Sequence, residues 1–502
     1  MSGQVGDSGG PFSSSISLCL GIVSFLEGTE AAGLTHQDLE CRLDADGREL
    51  TRQLFQDHLD LRAEREQPVT PVVDSGGVEH RFVEADHHRA LETIFGTVTV
   101  TRLAYRAKGK GAKSLHLQDA ALNLPPQRHS HGLRRLAAIE ATRGSYEEAR
   151  AGIERGTGQA LGKRQVEQLA RRAAVDVEGF YDTARREPAE QGDVLVLSAD
   201  GKGIVMRPEG LRPATRKAAQ ASTHKLKTRL TRGEKKDRKR MAELAVVYDC
   251  KPVRRGAADI LARGEDGPKP EAPVAKAKWL TASVATDTRQ VIKAAFDEAE
   301  RRDPEHQRCW VALVDGAKHQ IDVINAEARR RGIDVAIVVD VIHVMEYLWG
   351  AARCFYAETD PAGETFVADK TLAVLEGRAG IVAGSIRRKA TMLGLDADAR
   401  KRADECATYL KHKQPYLDYP KALAAGWPIA TGVIEGACRF LVRDRMGVTG
   451  ARWSVDGAEA VLKLRAVRTN GDWPAYWRHH MAEEQRRVHQ SRYADRVIPQ
   501  AA

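Results

Sequence analysis

Apolar residues change their spacing several times along this chain, and each change predicts a different element. Leu39, Leu43, Leu50, Leu54, Leu59 and Leu61 recur at roughly helical intervals among the charges of residues 38–65, which predicts one or two amphipathic helices. Residues 94–105 (IFGTVTVTRLAY) alternate apolar or β-branched positions with small and polar ones, the pattern of a half-buried strand, and residues 122–126 close that segment. From Ser130 to Tyr181 the pattern is helical again. Residues 145–174 read as helix, turn, helix, with Ser145 and Glu148 as a capping box and Gly156-Thr157-Gly158 as the break. A second helix starting near Lys163 and Arg164 suits a DNA major groove, although an ordinary packed helix pair has the same pattern.

After Asp193 the register becomes that of buried strands. Residues 194–199 (VLVLSA) form a continuous apolar run that ends at Asp200, and Gly201-Lys202-Gly203 is expected to turn into a second short run, 204–206. Further runs at 244–248, 310–314 and 335–339 follow, with helical stretches at 288–301 and 321–331 between the third and the fifth. Three strands close together, followed by strand, helix and strand, is the order of a ribonuclease H-like α/β fold with a mixed sheet. Residues 343–419 are helical without strands, and a helix over 434–446 follows Thr431-Gly432 and stops at Gly447. The expected plan is a disordered start (1–37), a helical and small strand-containing region (38–125) and a helix-turn-helix-like DNA-binding region (126–188). The first part of the core (189–342), a helical insertion (343–428), the last part of the core (429–470) and a C-terminal tail (471–502) complete it.

Charge sharpens this picture. Lysine and arginine outnumber aspartate and glutamate by 78 to 69 over 502 residues, which favours a polyanionic partner. The excess is concentrated: residues 202–240 hold fourteen lysines and arginines against three acids, a net of +11. Arg216, Lys217, Lys225, Lys227, Arg229, Lys235 and Lys236 belong to this segment and are candidates for neutralising phosphates, the alternative being a solvated loop. The seven cysteines contain no C-x-x-C pair, which argues against a zinc ribbon or a disulfide framework and for a reducing, cytoplasmic compartment. The apolar stretch at 16–26 is too short to span a bilayer, so neither export nor a membrane partner is expected. Gly6-Asp7-Ser8-Gly9-Gly10-Pro11 imitates the nucleophile segment of trypsin-like proteases. Those enzymes place their histidine and aspartate upstream, where this sequence has five residues, and the segment is read as part of the disordered start.

Three apolar runs each deliver an aspartate to a strand's end: Asp200, Asp315 and Asp340. Carboxylates converging on one rim of an open sheet repel one another unless protonated or bridged by a hard cation. Two ions roughly 3.5–4 Å apart activate a water or a 3′ hydroxyl and stabilise the leaving oxygen of a phosphodiester. Glu435, on a helix expected to cross the rim, is the best third ligand, with Arg439 and Arg443 one and two turns further on to hold phosphates. Taken singly these residues also suit turns, helix caps and a helix dipole. Asp340 and His343, one helical turn apart, either support the site or form a capped helix start.

With those residues in place, the chain resembles the DDE transposases of bacterial insertion sequences, most closely the ISKra family, related to the Mutator-like group. The segments that carry the likeness include SADGKGIVM, ALVDGAKH, DVIHVMEYLW, GVIEGACRFLVRDRM and TGARWSVDGAEAVLKLRAVRTNGDWPAYW, and it spans residues 40–480. The resemblance implies Asp200, Asp315 and Glu435 as the catalytic, metal-binding carboxylates. It implies Asp340 and His343 as the C/D-x-x-H pair, and Trp349 within the helical insertion. It further implies two Mg2+ ions, replaceable by Mn2+, with element ends and target DNA as partners and a homo-oligomer when two ends are brought together. A nucleoid-associated, cytoplasmic protein is expected. A nuclease of the same fold without strand transfer, and a DNA-binding repressor with an inactive core, are the alternatives.

Overall fold

The computed structural model describes residues 9–500, apart from 109–112, 185, 187–189, 191, 223, 227, 232–233, 235–236, 262–270 and 449. Gly6 to Ser8 of the protease-like segment and Lys227, Lys235 and Lys236 lie outside the described residues. The chain divides into two compact units, residues 1–182 with 473–502, and residues 183–472.

In the first unit, a helix at Ser13–Glu27 stands where a disordered start was expected. It is apolar enough to propagate, and Asp57 of the long helix His36–Glu64 holds it, accepting from the Ser15 backbone N–H at 3.0 Å and from its hydroxyl at 2.5 Å. A small pair, β1 (Val72–Val73) and β2 (Glu79–His80), precedes the hairpin β3 (Phe82–Thr93) and β4 (Gly96–Arg106). The alternation predicted for 94–105 is realised in β4, whose Val98 and Val100 bury against Leu59, Leu91 and Leu124. Helices Tyr146–Thr157 and Lys163–Ala173 follow, the first with the Ser145–Glu148 capping box and a left-handed Gly158 at its C-cap. The expected C-terminal tail is instead largely helical, beginning with Trp473–Glu484, and packs within this unit. The Tyr476 hydroxyl donates to the Ala173 carbonyl at 2.5 Å, and buried His480 meets Asp176 at 2.6 Å.

The second unit is built on a five-stranded mixed sheet of order β7-β6-β5-β8-β9. Its strands are β5 (Val194–Val205), β6 (Lys239–Cys250), β7 (Ala275–Ser283), β8 (Trp310–Val314) and β9 (Val335–Val339). β5, β6 and β7 pair antiparallel, while β8 and β9 run parallel to β5. Two expectations about strands are corrected. Residues 204–206 are not a separate strand, because β5 runs straight through Gly201-Lys202-Gly203 and pairs with β6 as far as Val205 and Lys239. The third strand is β7, whose AKAKWLTAS sequence mixes lysines with apolar residues because it lies at the sheet's edge. Asn470 covers it, accepting from the Leu280 N–H at 2.8 Å and donating to its carbonyl at 3.0 Å.

Parallel strands need long crossovers, and helices Thr288–Arg302 and Lys318–Arg331 flank β8 in that role. After β9 come the helices Val341–Ala352, Pro361–Leu375, Ala379–Met392, Lys401–Lys413 and Tyr419–Ala424. Chain then returns to the sheet through the helix Gly432–Ala437, which continues in a π-helical turn, Cys438–Arg443.

Candidate active site

Pairing in the sheet aligns the three aspartates. Leu195 to Ser198 of β5 pair with Trp310 to Leu313 of β8, an offset of 115 residues, and Trp310 to Val314 pair with Val335 to Val339, an offset of 25. Continued by one or two residues, the same offsets put Asp200, Asp315 and Asp340 at equivalent positions on three neighbouring strands, which are about 4.8 Å apart. Asp200 does not end its strand, as the sequence suggested. It lies inside β5, level with the point where the shorter β8 and β9 stop.

Each aspartate has a different environment. Asp200 is partly exposed; its Oδ1 accepts from the Gly201 N–H at 2.6 Å, and Cys438 donates its thiol to Oδ2 at 3.2 Å. Burial and the neighbouring Asp200 carboxylate push the Cys438 thiol far above its ordinary pKa, so it remains a neutral donor. Asp315 accepts from the Ala317 N–H at 2.7 Å, and its carbonyl accepts from the Tyr409 hydroxyl at 3.2 Å. Gly316 adopts φ of 93°, and a Cβ there would stand 2.8 Å from the Tyr409 hydroxyl, so the close approach requires glycine.

Asp340 is fully buried and caps the helix that follows it. Its Oδ1 accepts from the Ile342 N–H at 2.9 Å, and its Oδ2 meets His343 Nδ1 at 3.2 Å and accepts from the Thr431 hydroxyl. Burial alone would raise its pKa, yet these bonds hold it below the usual aspartate value. The bond to Asp340 raises His343 to about 9, with Asp340, Glu346 and Asp315 adding charge attraction against burial.

Glu435 is exposed at the start of its helix. Thr431, four residues before it, and Cys438, three after, share its helical face. Thr431 reaches Asp340 on one side and Cys438 reaches Asp200 on the other, so the helix bridges the rim and Glu435 faces between these aspartates. Thr431 Oγ1 is also 3.1 Å from Glu435 Oε1, but its single proton goes to Asp340, the nearer acceptor, which leaves Glu435 able to accept a cation. The π-helical turn begins directly past Ala437, a feature frequent at functional sites, and Arg465 donates to its Leu441 carbonyl at 2.9 Å and to that of Phe440.

Among the described residues, one set of three metal-type ligand atoms gathers within 4.8 Å: Asp340, His343 and Glu435. Asp200, Asp315 and Glu435 do not form such a set. Asp340 and His343 suit a hydrogen-bonded pair better than a metal site, because both Asp340 oxygens are engaged and His343 holds its proton at neutral pH. Asp200, Asp315 and Glu435 are more open: Asp200 has one partner on each oxygen against three for the fully buried Asp340, Asp200 and Asp315 are partly exposed, and Glu435 is exposed. Their oxygens fit a hard divalent cation such as Mg2+, and two ions would spread their ligands along the rim rather than around one point.

Glu243, Thr431 and Cys438 are residues of this rim that sequence reasoning missed. Glu243 pairs with Gly201 across β5 and β6, and burial, with Asp200 adding to it, raises its pKa. Only the i−4 and i+3 spacing of Thr431 and Cys438 around Glu435 pointed to them. Glu459, another acid of the second unit, is buried and engaged elsewhere, accepting from the Val284 and Ala285 N–H groups at 2.8 and 3.0 Å and from the Ser283 hydroxyl.

The candidate DNA-contacting cations are on the surface. Arg216 and Lys217 are exposed on the helix Pro213–Gln220, between β5 and β6, and Lys225 and Arg229 are exposed beyond it. Arg439 and Arg443 are exposed on the π-helical turn. In the other unit, Lys163 and Arg164 are exposed at the start of their helix, where Lys163 pairs with Glu147. No described helix is long and apolar enough to cross a membrane.

No protein-family model and no curated protein matches this chain. Among solved structures, the chain is similar to the Drosophila P element transposase strand transfer complex, at a TM-score of 0.23 and 10% identity, over 73% of this chain and 82% of that one. At that distance neither fold nor activity is carried over.

Proposed function

We propose that this protein is a DNA transposase whose second unit is a ribonuclease H-like core. In this reading it cuts and joins DNA strands by metal-dependent phosphodiester chemistry. The observation that carries the reading is the common register of Asp200, Asp315 and Asp340, with Glu435 delivered to the same rim by a helix tied to two of them.

Asp200, Asp315 and Glu435 would hold two Mg2+ ions, or Mn2+ in their place. Those ions, when bound, supply activation of the attacking oxygen and stabilisation of the leaving one. The protein's own residues orient and neutralise. Cys438 fixes one Asp200 oxygen, the Ala317 N–H fixes one of Asp315, and Asp340 with Thr431 anchors the start of the Glu435 helix. His343, cationic at neutral pH, balances the buried Asp340 charge. Arg439 and Arg443 beside Glu435, and the cations between β5 and β6, are available to DNA phosphates. Lys163 and Arg164 are proposed to meet DNA from the helix-turn-helix region, and two copies are proposed to act together when two ends are joined.

Strand transfer separates this function from that of a simple nuclease. The purified protein is incubated with Mg2+, a supercoiled target and duplexes ending in the terminal repeats that flank its gene. Covalent joining of the repeat end to target is expected. Cleavage without joining would reduce the function to a nuclease, and binding without either would make it a repressor.

A further inference from the structure

Beside the rim lies a groove of about 1010 Å³ between the helix Lys318–Arg331 and the helices of the insertion. We propose that it binds an unpaired nucleotide of the DNA strand leading to the rim. This inference rests on the transposase reading and adds a subsite to it.

The groove has the chemistry for both halves of a nucleotide. Tyr347 and Tyr409 line it, stacked on each other with centroids 3.9 Å apart and planes 14° apart. Tyr347 is 38% exposed, so a base can extend the stack, and aromatic faces accept any base. Lys401 and Lys413 stand at opposite ends of one helix along the groove, and Lys318 opens the helix that forms its other wall. Twelve residues of helix separate Lys401 from Lys413, about 18 Å, so these ammonium groups suit phosphates spread along a short strand on either side of the bound base. The volume is at the upper end of the range for small-ligand sites, roughly 300–1,000 Å³, and so is ample for one nucleotide with its flanking phosphates.

Two observations select a strand over a free nucleotide. Asp322 and Glu405 also line the groove, and their charges oppose a polyphosphate while accepting from the amino groups of bases. Asp404, a third acid, is held by Arg400 at 2.8 Å. The groove is also joined to the rim, since Tyr409 donates to the Asp315 carbonyl and Lys318 lies three residues beyond Asp315. A strand in the groove would leave it beside a proposed metal ligand.

The test measures fluorescence anisotropy of the full-length protein with a short labelled single strand, the same strand carrying abasic sites, and the corresponding duplex. Tyr347→Ala and the pair Lys401→Ala with Lys413→Ala are expected to weaken single-strand binding roughly tenfold. Duplex binding is expected to change by less than about twofold, because the other basic surfaces remain. Tyr347→Phe, which keeps the ring, is expected to bind as the unaltered protein does, and the abasic strand to bind as weakly as Tyr347→Ala binds the intact one. Equal binding of intact and abasic strands, or an unaffected Tyr347→Ala, would overturn the groove while leaving the transposase reading intact. Displacement of the strand by a micromolar mononucleotide would assign the groove to a free nucleotide instead. Failure of the unaltered protein to bind even the duplex would overturn both.

Discussion

Thr431→Val removes one proton donor and little else, which makes it an informative substitution at the rim. Thr431 is 4% exposed and valine fills nearly the same volume, so no cavity cost enters. What is lost is the hydroxyl bond to Asp340, a carboxylate that is 0% exposed and keeps only the Ile342 N–H and His343 afterwards. A hydrogen bond to a charged group contributes about 1.5–3 kcal/mol. For a unit of this size that lowers Tm by roughly 2–5 °C. Calorimetry of the full chain at neutral pH measures it, with Thr431→Ser, which keeps the donor, expected to stay close to the unaltered protein. A double-mutant cycle with Asp340→Asn should return a coupling of about 1 kcal/mol or more. Equal melting of the valine and serine variants, or no coupling to Asp340, would refute the claim that Thr431 anchors this end of the Glu435 helix through Asp340.

Three further outcomes follow from the same geometry. His343 has a folded pKa raised from 6.5 to about 9, so its contribution to stability is fully present below pH 6.5 and is lost as pH rises through about 9; in denaturant titrations His343→Gln should remove that pH dependence. Replacing Arg216, Lys217 and Arg229 together by alanine should weaken duplex binding and flatten its salt dependence by up to about 0.9 per lost phosphate contact, and an unchanged slope would return these cations to solvent. Glu459→Ala should cost about 1–3 kcal/mol in urea unfolding, since it takes the acceptor from the buried Val284 N–H while the Ala285 N–H keeps the Ser283 hydroxyl, but it should leave strand cleavage by the folded fraction intact.

Legibility of this sequence depended on how far each signal reached along the chain. The cores of β5, β6 and β8 are continuous apolar runs because they are buried on both faces, and β9, the other edge strand, is equally apolar although only Val338 and Val339 are buried; such runs are visible locally. β7 makes no continuous apolar run because Lys276 and Lys278 alternate with alanines in its exposed first half, and 204–206 reads as separate from β5 because Gly201 and Gly203 usually interrupt strands. The serine-rich start of the helix Ser13–Glu27 reads as disorder and hides the apolar run behind it. The aspartates themselves were legible at the ends of apolar runs. Their alignment was not, because offsets of 115 and 25 residues are properties of strand pairing. Asp340 looked like a metal-site accessory or a cap; the packing of Thr431, His343 and the Ile342 N–H around it makes it a buried anchor, and sequence separation of 91 residues concealed the Thr431 contact.

The central claim is that Asp200, Asp315 and Glu435 act together as the metal-binding carboxylates of one phosphodiester-cleaving site. Its most direct test is Mg2+-dependent cleavage of repeat-end DNA by the purified protein and by Asp200→Ala, Asp315→Ala and Glu435→Ala, with duplex binding measured in parallel. All three variants are expected to bind the duplex as before and to lose cleavage, as the unaltered protein should when the metal is chelated. Cleavage that persists in any one of them at the unaltered rate would remove that residue from the site, and persistence in Asp315→Ala would contradict the account as a whole.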